Sequence, residues 1–389
     1  MNQGKYIFAQ LSEFLPRRIF DRIVTKYSGN LRVRSFTCWN QMLCMVFGQL
    51  TSRDSMRDLM LSLEAHKPKY YHLGFGQTVT RRNLGKANEN RSYKIFEEFA
   101  YVLIEEARKS CFKNDFEVEV DGNVYAMDST TIDLCLSVFW WAEFRKHKGG
   151  IKLHTLYDVK TSIPCFLHIS NAKVHDVNIL DIIPIEAGSF YVVDKGYVDF
   201  KRLHRIHRQG SFFVTRAKDN LRFQRMYSQP VENTIGVQYD QIGRLEVYYS
   251  KKDYPDKLRR IKYFDEERKK ELIFLTNNMD LAAKEIAMLY KKRWEVEIFF
   301  KWLKQHLKIK SFWGTTMNAV KIQIYCAIIA YCLVAVVGNK LKVDRSIYEI
   351  LQILSISLLD KTPVREILTK CDVQNVKEQK NKQLIISGF

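Results

Sequence analysis

The spacing of apolar residues changes along this 389-residue chain, and the change limits the folds that are open to it. Residues 1 to about 115 show helical spacing, as in FDRIVTKY, WNQMLCMVFGQL and YKIFEEFAYVLIEEARKS. From about residue 118 the pattern changes to short β-type runs, namely VEVDGNVYAMD, IKLHTLYDV, IPCFLHISNA, SFYVVD and SFFVTRAK. VNILDII and DFKRLHRIHRQ, which lie between the last three runs, have helical spacing. We therefore predict an α/β fold, with a helical region before a sheet that is flanked by helices.

The second half of the chain returns to β-type runs and then to helices. RLEVYYSK, RRIKYF and ELIFLTN are predicted strands separated by charged turns, so residues 222–276 are predicted to be a β-rich insertion. A long helix is predicted from about Asp280 to Lys308, followed by an apolar helix and an amphipathic tail. The predicted divisions of the chain are 1–115, 116–221, 222–276, 277–345 and 346–389.

The charge of the chain indicates a polyanionic partner. With 62 Lys and Arg against 43 Asp and Glu, the formal charge is +19, on a chain whose 46% apolar content is typical of a folded protein. Such an excess attracts polyanions, nucleic acid first, although a basic protein without such a partner is the alternative. Arg81 and Arg82 lie in a polar stretch that could lead a helix onto a phosphate backbone, or could be a solvated surface.

Neither a disulfide framework nor a membrane span is predicted. The eight cysteines are scattered, with no CxxC pair, and the N-terminal residues lack the features of an export signal. Residues 324–337 are apolar throughout, but this run is shorter than the roughly 20 residues that a membrane span needs. We predict a cytoplasmic protein in which this run is a buried core helix.

Two aspartates close predicted strands. Asp128 ends VYAMD and Asp194 ends FYVVD, each after an otherwise apolar run. In open α/β sheets, side chains just beyond strand ends project into the crevice where ligands bind. Either carboxylate could instead cap the next element or bond a turn. The strands alone leave both interpretations open.

The predicted long helix carries one polar stripe. At about 100° per residue, four polar side chains fall within an arc of about 60°; they are Tyr290, Arg293, Glu297 and Lys304. Lys301 and Lys308 extend the stripe, and apolar residues cover most of the remaining surface, which predicts a buried helix. The stripe could be an internal ladder, since Arg293 and Glu297 are four residues apart. Alternatively, Glu297 faces a metal ion while its neighbours face phosphate oxygens.

These residues resemble a known family. The order Asp, Asp, Glu, with Y-x2-R-x3-E-x6-K in YKKRWEVEIFFKWLK, is similar to the DDE transposases of bacterial insertion sequences. Within them it resembles the Tyr-Arg-Glu-Lys branch, insertion sequence family four. AMDSTTIDL, KGGIKLHTLYD and VVDKGYVDF support the resemblance, which covers about residues 120–340.

The resemblance implies an RNase H-like catalytic core with a β-rich insertion between the second Asp and the Glu, preceded by a helical N-terminal DNA-binding domain. It implies that Asp128, Asp194 and Glu297 hold two Mg²⁺ ions, with Mn²⁺ expected to substitute. The implied substrates are double-stranded terminal inverted repeats and target DNA, cut and joined by a homodimer. The implied DNA and phosphate contacts are Tyr290, Arg293, Lys304, Lys301, Arg81 and Arg82.

Hairpin formation at the cut end is a further hypothesis. Relatives that form hairpins stack a flipped base on a Trp of the insertion, but no Trp lies within residues 222–276 here. A tyrosine could supply the stacking face instead; the candidates are Tyr227, Tyr239, Tyr248, Tyr249, Tyr254 and Tyr263.

Rival sites and functions remain at this point. His154 with His175, and His204 with His207, suggest zinc, but neighbouring arginines disfavour the second pair. The rival carboxylates are Asp121, Asp133, Asp158 and Glu295. A non-catalytic, domesticated transposase and a metal-dependent nuclease of the same fold are the alternative functions. Three intact acidic residues argue against the first, and the basic N-terminal region argues against the second.

Overall fold

A ten-stranded sheet with helices on both faces organises the molecule in a computed structural model. The structure describes residues 4–75, 79–110, 118–145, 148–231, 236–307, 309 and 311–369, so Lys308 lies outside the described residues. The strands are β1 (Val124–Leu134), β2 (Glu143–Arg145), β3 (Lys148–Asp158), β4 (Ile163–Asn171), β5 (Phe190–Val193), β6 (Phe212–Arg216), β7 (Phe223–Ser228), β8 (Val237–Leu245), β9 (Leu258–Asp265) and β10 (Lys270–Thr276).

The strand order is β2-β3-β1-β5-β6-β10-β9-β8-β7, and β4 also pairs with β3. β1, β3 and β4 are antiparallel to their neighbours in this group, whereas β1, β5 and β6 run parallel to one another. Parallel strands need a crossover, and α7 (Phe200–Arg208) supplies the one between β5 and β6. The mixed α/β fold predicted from the periodicity is confirmed.

Each face of the sheet is covered by different elements. Ala126 and Val192 lie on the face that shares the larger core with α9 (Ala283–Lys291) and α10 (Trp294–His306). Met127 and Val193 point to the other face, into a smaller core with α7. Because side chains alternate along a strand, Asp128 and Asp194, one residue further on, are directed to the α10 face.

Six α-helices precede the sheet, as the N-terminal periodicity predicts. They are α1 (Ile7–Ser12), α2 (Arg17–Lys26), α3 (Cys38–Leu50), α4 (Met56–Ala65), α5 (Arg81–Asn90) and α6 (Lys94–Ser110). The remaining helices are α8 (Tyr248–Asp253), α11 (Met317–Lys340), α12 (Ile347–Ser357) and α13 (Val364–Leu368).

Helix α11 joins the helical region to the sheet. Thr316 begins it by accepting a hydrogen bond from the Ala319 N–H. Tyr325 of α11 donates a hydrogen bond to Glu97 of α6, and Tyr331 packs edge-on against Trp302 of α10. The helical region and the α10 face of the sheet therefore share one hydrophobic core.

Helix α11 is longer than the apolar run from which no membrane span is predicted. The helix has 24 residues, so by length and hydropathy it could cross a membrane, whereas the apolar run considered alone is too short. However, 94% of its most apolar window is buried inside the protein. The prediction of a buried core helix is thus confirmed by its packing, and the length of the run does not carry that conclusion.

Hydrogen bonds tie α1 to the segment between α12 and α13. The N–H groups of Ile7 and Phe8 donate to the carbonyls of Asp360 and Leu358, at 2.9 and 3.0 Å. Gln10, which is buried, donates to Thr362 O and accepts from Val364 N, both at 2.9 Å. Helix α1 is therefore held by residues about 350 positions later in the chain.

The β-rich segment continues the sheet of the first six strands, because β10 pairs with β6 and β9 pairs with β10. Two local predictions were wrong. RLEVYYSK is the end of β8 followed by α8, and VNILDII falls largely in a short 3₁₀ segment, Asp176–Asp181. Neither segment is long enough for its periodicity to decide between structures.

The predicted long helix is two helices, and this corrects the angular placement of its polar stripe. Lys292 and Arg293 separate α9 from α10, and their N–H groups bond to Leu289 and Tyr290, three residues back. Nor is α10 buried all round: Trp294 and Ile298 are 49% and 54% exposed. The four residues that define the stripe nevertheless contact groups at or beside Asp128 and Asp194, or along β1.

Candidate active site

Asp128 and Asp194 are neighbours at one edge of the sheet. In the parallel β1–β5 ladder the last pair is Met127 with Val193, and each aspartate follows directly. Asp194 leaves β5 as predicted, whereas Asp128 lies within β1, which continues to Leu134, so its predicted place beyond a strand end is wrong. The pairing of β1 with β5 ends just before Asp128. Both carboxylates therefore lie in the crevice beside the end of β5.

Two glycines bring these strands close together. A side chain at Gly122, just before β1, would overlap the carbonyl of Gly188, just before β5. Gly188 itself has φ of +78°, a conformation that glycine adopts without strain. This close approach fixes the register that places the two aspartates side by side.

Asp128 is only partly exposed, with 24% of its side chain accessible. The pKa of the Asp128 carboxyl is raised to about 6, mainly by burial and also by the negative charges of Glu297 and Asp194, while the Ser129 N–H and Arg293 oppose the rise. The Ser129 N–H donates to Asp128 Oδ1 at 2.8 Å. The three acidic groups are therefore close enough to influence one another.

Arg293 links the third carboxylate to the first. Its guanidinium Nη1 lies 2.6 Å from Glu297 Oε1 and 3.8 Å from Asp128 Oδ2, with 14% of the Arg293 side chain exposed. The internal Arg293–Glu297 pair therefore exists, and it lies at the aspartates. The stripe therefore contains the internal ion pair, and it also brings Glu297 close to the acidic residues that could hold a metal ion with it.

Tyr290 and Lys304 reach the same crevice. The Tyr290 hydroxyl donates to Asp194 Oδ1 at 3.1 Å, and burial raises its pKa to about 12. Lys304 Nζ donates to the carbonyl of Thr131 in β1 at 3.0 Å. Lys301 is exposed on α10 and makes no polar contact within the described residues.

The rival carboxylates lie elsewhere. Asp121 is exposed before β1, and Asp133 is exposed near the end of that strand. Asp158 is buried in an ion pair with Arg108 at 2.9 Å. Glu295 lies 3.9 Å from Lys292.

The histidine pairs have other partners. His154 is buried against Ser170, at 2.8 Å, whereas His175 is exposed. His204 contacts Asp256 at 2.9 Å. A hydrogen bond of 2.7 Å joins the His207 ring to the hydroxyl of Tyr254.

Tyr254 is fully buried, so its ring cannot stack on a base, and the prediction that includes it among the stacking candidates is wrong. Tyr248 and Tyr249 are 73% and 75% exposed on α8, with ring centroids 5.5 Å apart. Tyr227 is 48% exposed on β7.

Sequence reasoning missed Arg216, the last residue of β6. The β5–β6 ladder ends with Val193 opposite Thr215, so Arg216 follows beside Asp194. Its positive charge lowers the pKa of the Tyr290 hydroxyl, against the larger effect of burial. The parallel pairing of the two strands was the signal that could have found this residue.

Arg81 and Arg82 lie far from the carboxylates in sequence, at the start of α5. Thr80 caps this helix by accepting from the Asn83 N–H. They line a cleft of about 560 Å³ together with Lys86 and with residues 313–315, which follow α10. The cleft thus lies between the N-terminal helices and the segment after the Glu297 helix.

Three carboxylates supply hard oxygen donors, the chemistry that Mg²⁺ and Mn²⁺ require. In this arrangement Arg293 lies between Asp128 and Glu297. Across the described residues, no three Asp, Glu, His or Cys side chains lie close enough together to hold a metal ion. The negative charges of Glu297 and Asp194 add to the raised pKa of Asp128, of which burial is the main cause. The three carboxylates therefore fit divalent cations by their chemistry, although Arg293 lies between two of them in this arrangement.

Two protein families match parts of the chain. The family described as "Transposase DDE domain" matches residues 120–333, and a domain of unknown function (DUF4372) matches residues 3–76. The chain is 33% identical over 264 residues to y4zB of Sinorhizobium fredii, named as a transposase, covering 67% of this chain and 72% of that protein.

Two further relatives are named as transposases for insertion sequence elements. For IS5377 of Geobacillus stearothermophilus the identity is 31% over 212 residues, covering 53% of this chain and 54% of that protein. For IS4SA of Synechocystis it is 25% over 269 residues, covering 66% and 72%.

Proposed function

The chain belongs to the DDE transposases of insertion sequences, and from that premise we propose that it cuts the terminal inverted repeats of its element and joins them to target DNA. We assign it to the Tyr-Arg-Glu-Lys branch, family four, on Tyr290, Arg293, Glu297 and Lys304. The observation that carries the proposal is the placement of Asp128 beside Asp194, with Glu297 linked to Asp128 through Arg293.

We propose that the sheet from β4 to β6 is an RNase H-like core. Its order, β4-β3-β1-β5-β6, has three antiparallel strands followed by two parallel ones, with helices on both faces. The division of the chain at 115, 221, 276 and 345 is retained as part of this proposal. Two DNA ends must be cut, so a homodimer is the proposed active assembly.

Asp128, Asp194 and Glu297 would hold two divalent cations, which supply activation of water or a 3′-hydroxyl and stabilisation of the leaving oxygen. Arg293 neutralises the carboxylates in the arrangement seen here. When Glu297 binds a cation, the freed guanidinium is proposed to contact a DNA phosphate, for which its forked donors are suited. Tyr290 keeps Asp194 oriented, and Lys304 adds positive charge beside β1.

Helix α5 is proposed to bind the DNA end. Five exposed basic side chains around it have no ion-pair partner among the described residues; they are Arg32, Arg34, Arg81, Arg82 and Lys86. They line two clefts of about 560 and 640 Å³ on either side of the helix, and Lys86 lines both. Unpaired cations and the positive end of a helix favour phosphate. The first cleft also includes Thr315, which lies between α10 and α11.

The experiment that tests the proposed function incubates the protein with DNA that carries both ends of its element. With Mg²⁺ or Mn²⁺ we expect cuts at the matching repeats and, with added target DNA, joined products. With EDTA we expect binding without cuts. Cleavage at equal rates on unrelated DNA would favour a plain nuclease, and binding without cleavage under all conditions would favour a non-catalytic protein.

Charge reversal on α5 tests the proposed DNA surface. Arg81→Glu with Arg82→Glu is expected to weaken binding of the element's end by roughly 10- to 100-fold and to reduce the salt slope by about two, because two phosphate contacts are lost. The measurement is fluorescence anisotropy at several salt concentrations. Lys67→Glu with Lys69→Glu makes the same charge change on a 3₁₀ turn that lines neither cleft. Equal losses in both double variants would contradict the assignment of α5.

A further inference from the structure

A polar network lies on the sheet face opposite Asp128. Ser129, the next residue of β1, points to that face because strand side chains alternate. Its backbone N–H holds Asp128 Oδ1 at 2.8 Å, and its hydroxyl donates to Asp176 Oδ1 at 2.6 Å. One residue therefore joins the carboxylate of the active site to a second carboxylate behind it.

Asp176 is the centre of this network. Lys152 of β3 lies 3.2 Å from its carboxylate and also donates to Val174 O at 2.9 Å. His154, fully buried on the same strand, places Nδ1 at 3.7 Å from Asp176 Oδ1. Burial lowers the pKa of His154 to about 4, so the ring is neutral near pH 7 and Lys152 is the cation that balances Asp176.

Tyr197 adds a buried hydroxyl beside this network. It is 3% exposed, in the turn directly after Asp194. Its hydroxyl interacts with the Ser129 side chain, and the charges of Asp128, Asp176 and Asp194 act on it. Ser129 therefore lies among polar groups on the face opposite Asp128.

We propose that Asp176 is a positioning residue, which fixes the Asp128 carboxylate through Ser129 and thereby sets the affinity of the active site for divalent cations. This inference rests on the proposed function. Groups that hold metal-binding side chains in place, without touching the ion, typically change metal affinity or activity by about 10- to 100-fold when removed. With Oδ1 of Asp128 held by the Ser129 N–H, its Oδ2 is the oxygen left facing Arg293 and Glu297.

The test measures cation affinity without relying on activity. Tb³⁺ is titrated into the metal-free full chain, and its luminescence is excited through Tyr290, whose hydroxyl lies 3.1 Å from Asp194 Oδ1. Asp128→Asn should abolish the site-specific signal. Asp176→Ala and Ser129→Ala should each raise the Tb³⁺ dissociation constant by about 10- to 100-fold. The double variant should lose no more than either single variant, because both act through one contact.

Asp176→Asn separates positioning from simple charge. It removes the negative charge but keeps an oxygen that accepts from Ser129, so the dissociation constant should stay within about threefold of the wild type. Asp181→Ala is the matched control, since Asp181 lies in the same 3₁₀ segment and pairs with Arg202 at 2.7 Å, away from Ser129. It should leave Tb³⁺ binding unchanged. Thermal unfolding in EDTA checks that each variant is folded, and Ser129→Ala, which removes a single oxygen, carries the test if Asp176→Ala does not fold.

The outcomes are distinguishable. An Asp128-dependent signal with unchanged affinity in Asp176→Ala and Ser129→Ala would overturn the inference and leave the proposed function standing. Equal losses in Asp176→Asn and Asp176→Ala would show that Asp176 acts by charge alone, which also overturns positioning. A wild-type signal that does not depend on Asp128 would contradict the proposed metal site and the inference together.

Discussion

Glutamine in place of Glu297 is expected to lower Mg²⁺-dependent cleavage of the element's ends by about a thousand-fold or more, because an amide cannot supply the charge of a metal-binding carboxylate. Asp128→Asn and Asp194→Asn should have losses of the same size. DNA binding should persist in all three, since the clefts beside α5 are unchanged. The measurement is single-turnover cleavage of labelled DNA, with binding followed in parallel.

Two matched variants control for a general loss of acidic charge. Glu295→Gln changes the same residue type two positions earlier, beside Lys292, and Asp133→Asn changes an exposed position of the strand that carries Asp128. Both should cleave within about threefold of the wild type, the usual range for surface substitutions. Full cleavage by Glu297→Gln, or a loss in Glu295→Gln as large as in Glu297→Gln, would show that the assigned carboxylates are the wrong ones.

Removal of the Arg293 side chain is expected to have the second largest effect. Arg293→Ala takes away the cation that lies between Asp128 and Glu297 and the proposed phosphate contact, so cleavage should fall by about 100-fold. Its loss also has a consequence for pH. Arg293 lowers the pKa of Asp128, which burial raises to about 6, so that pKa should rise above 6 in the variant.

The sign of the pH effect follows from the form that binds cations. Only ionised Asp128 is a cation ligand, so at subsaturating Mg²⁺ activity is lost as pH falls through the pKa of Asp128. In Arg293→Ala this acid limb should move to higher pH, and in Arg293→Lys, which keeps the charge but not the forked geometry, it should stay near its wild-type position. Rate profiles from pH 5 to pH 9 measure the shift. An acid limb that does not move in Arg293→Ala would mean that Arg293 does not compensate Asp128.

The local pattern predicts that each aspartate follows an apolar β run, and the structure brings the two residues together at the end of the β1–β5 pairing. An acidic residue after an apolar β run marks a strand edge, and two such strands in parallel bring their ends together. The continuation of β1 beyond Asp128 was not predictable in this way. It depends on pairing with β3, whose residues lie about 25 positions later, and local periodicity does not report such pairing.

The break in the long helix has no sequence signal either. YKKRWEVE contains no proline or glycine, and each residue tolerates a helix. The break coincides with tertiary contacts, namely Tyr290 with Asp194 on one side and Arg293 with Asp128 on the other. Asp176 was missed for a similar reason, since its partner Ser129 lies 47 residues earlier and becomes a neighbour only in the folded chain.

The contacts between α1 and residues 358–364 can form only late in synthesis. Ile7 leaves the ribosome early, but its partner Asp360 follows only after about 350 further residues have been added. At typical synthesis rates of about 5–20 residues per second, that interval is roughly 20 to 70 s. Throughout this time the backbone N–H groups of Ile7 and Phe8 lack their final partners, although Phe8 can already pack on Phe47 and Phe75. The hydrogen bonds that hold α1 to residues 358–364 are therefore among the last to form during synthesis.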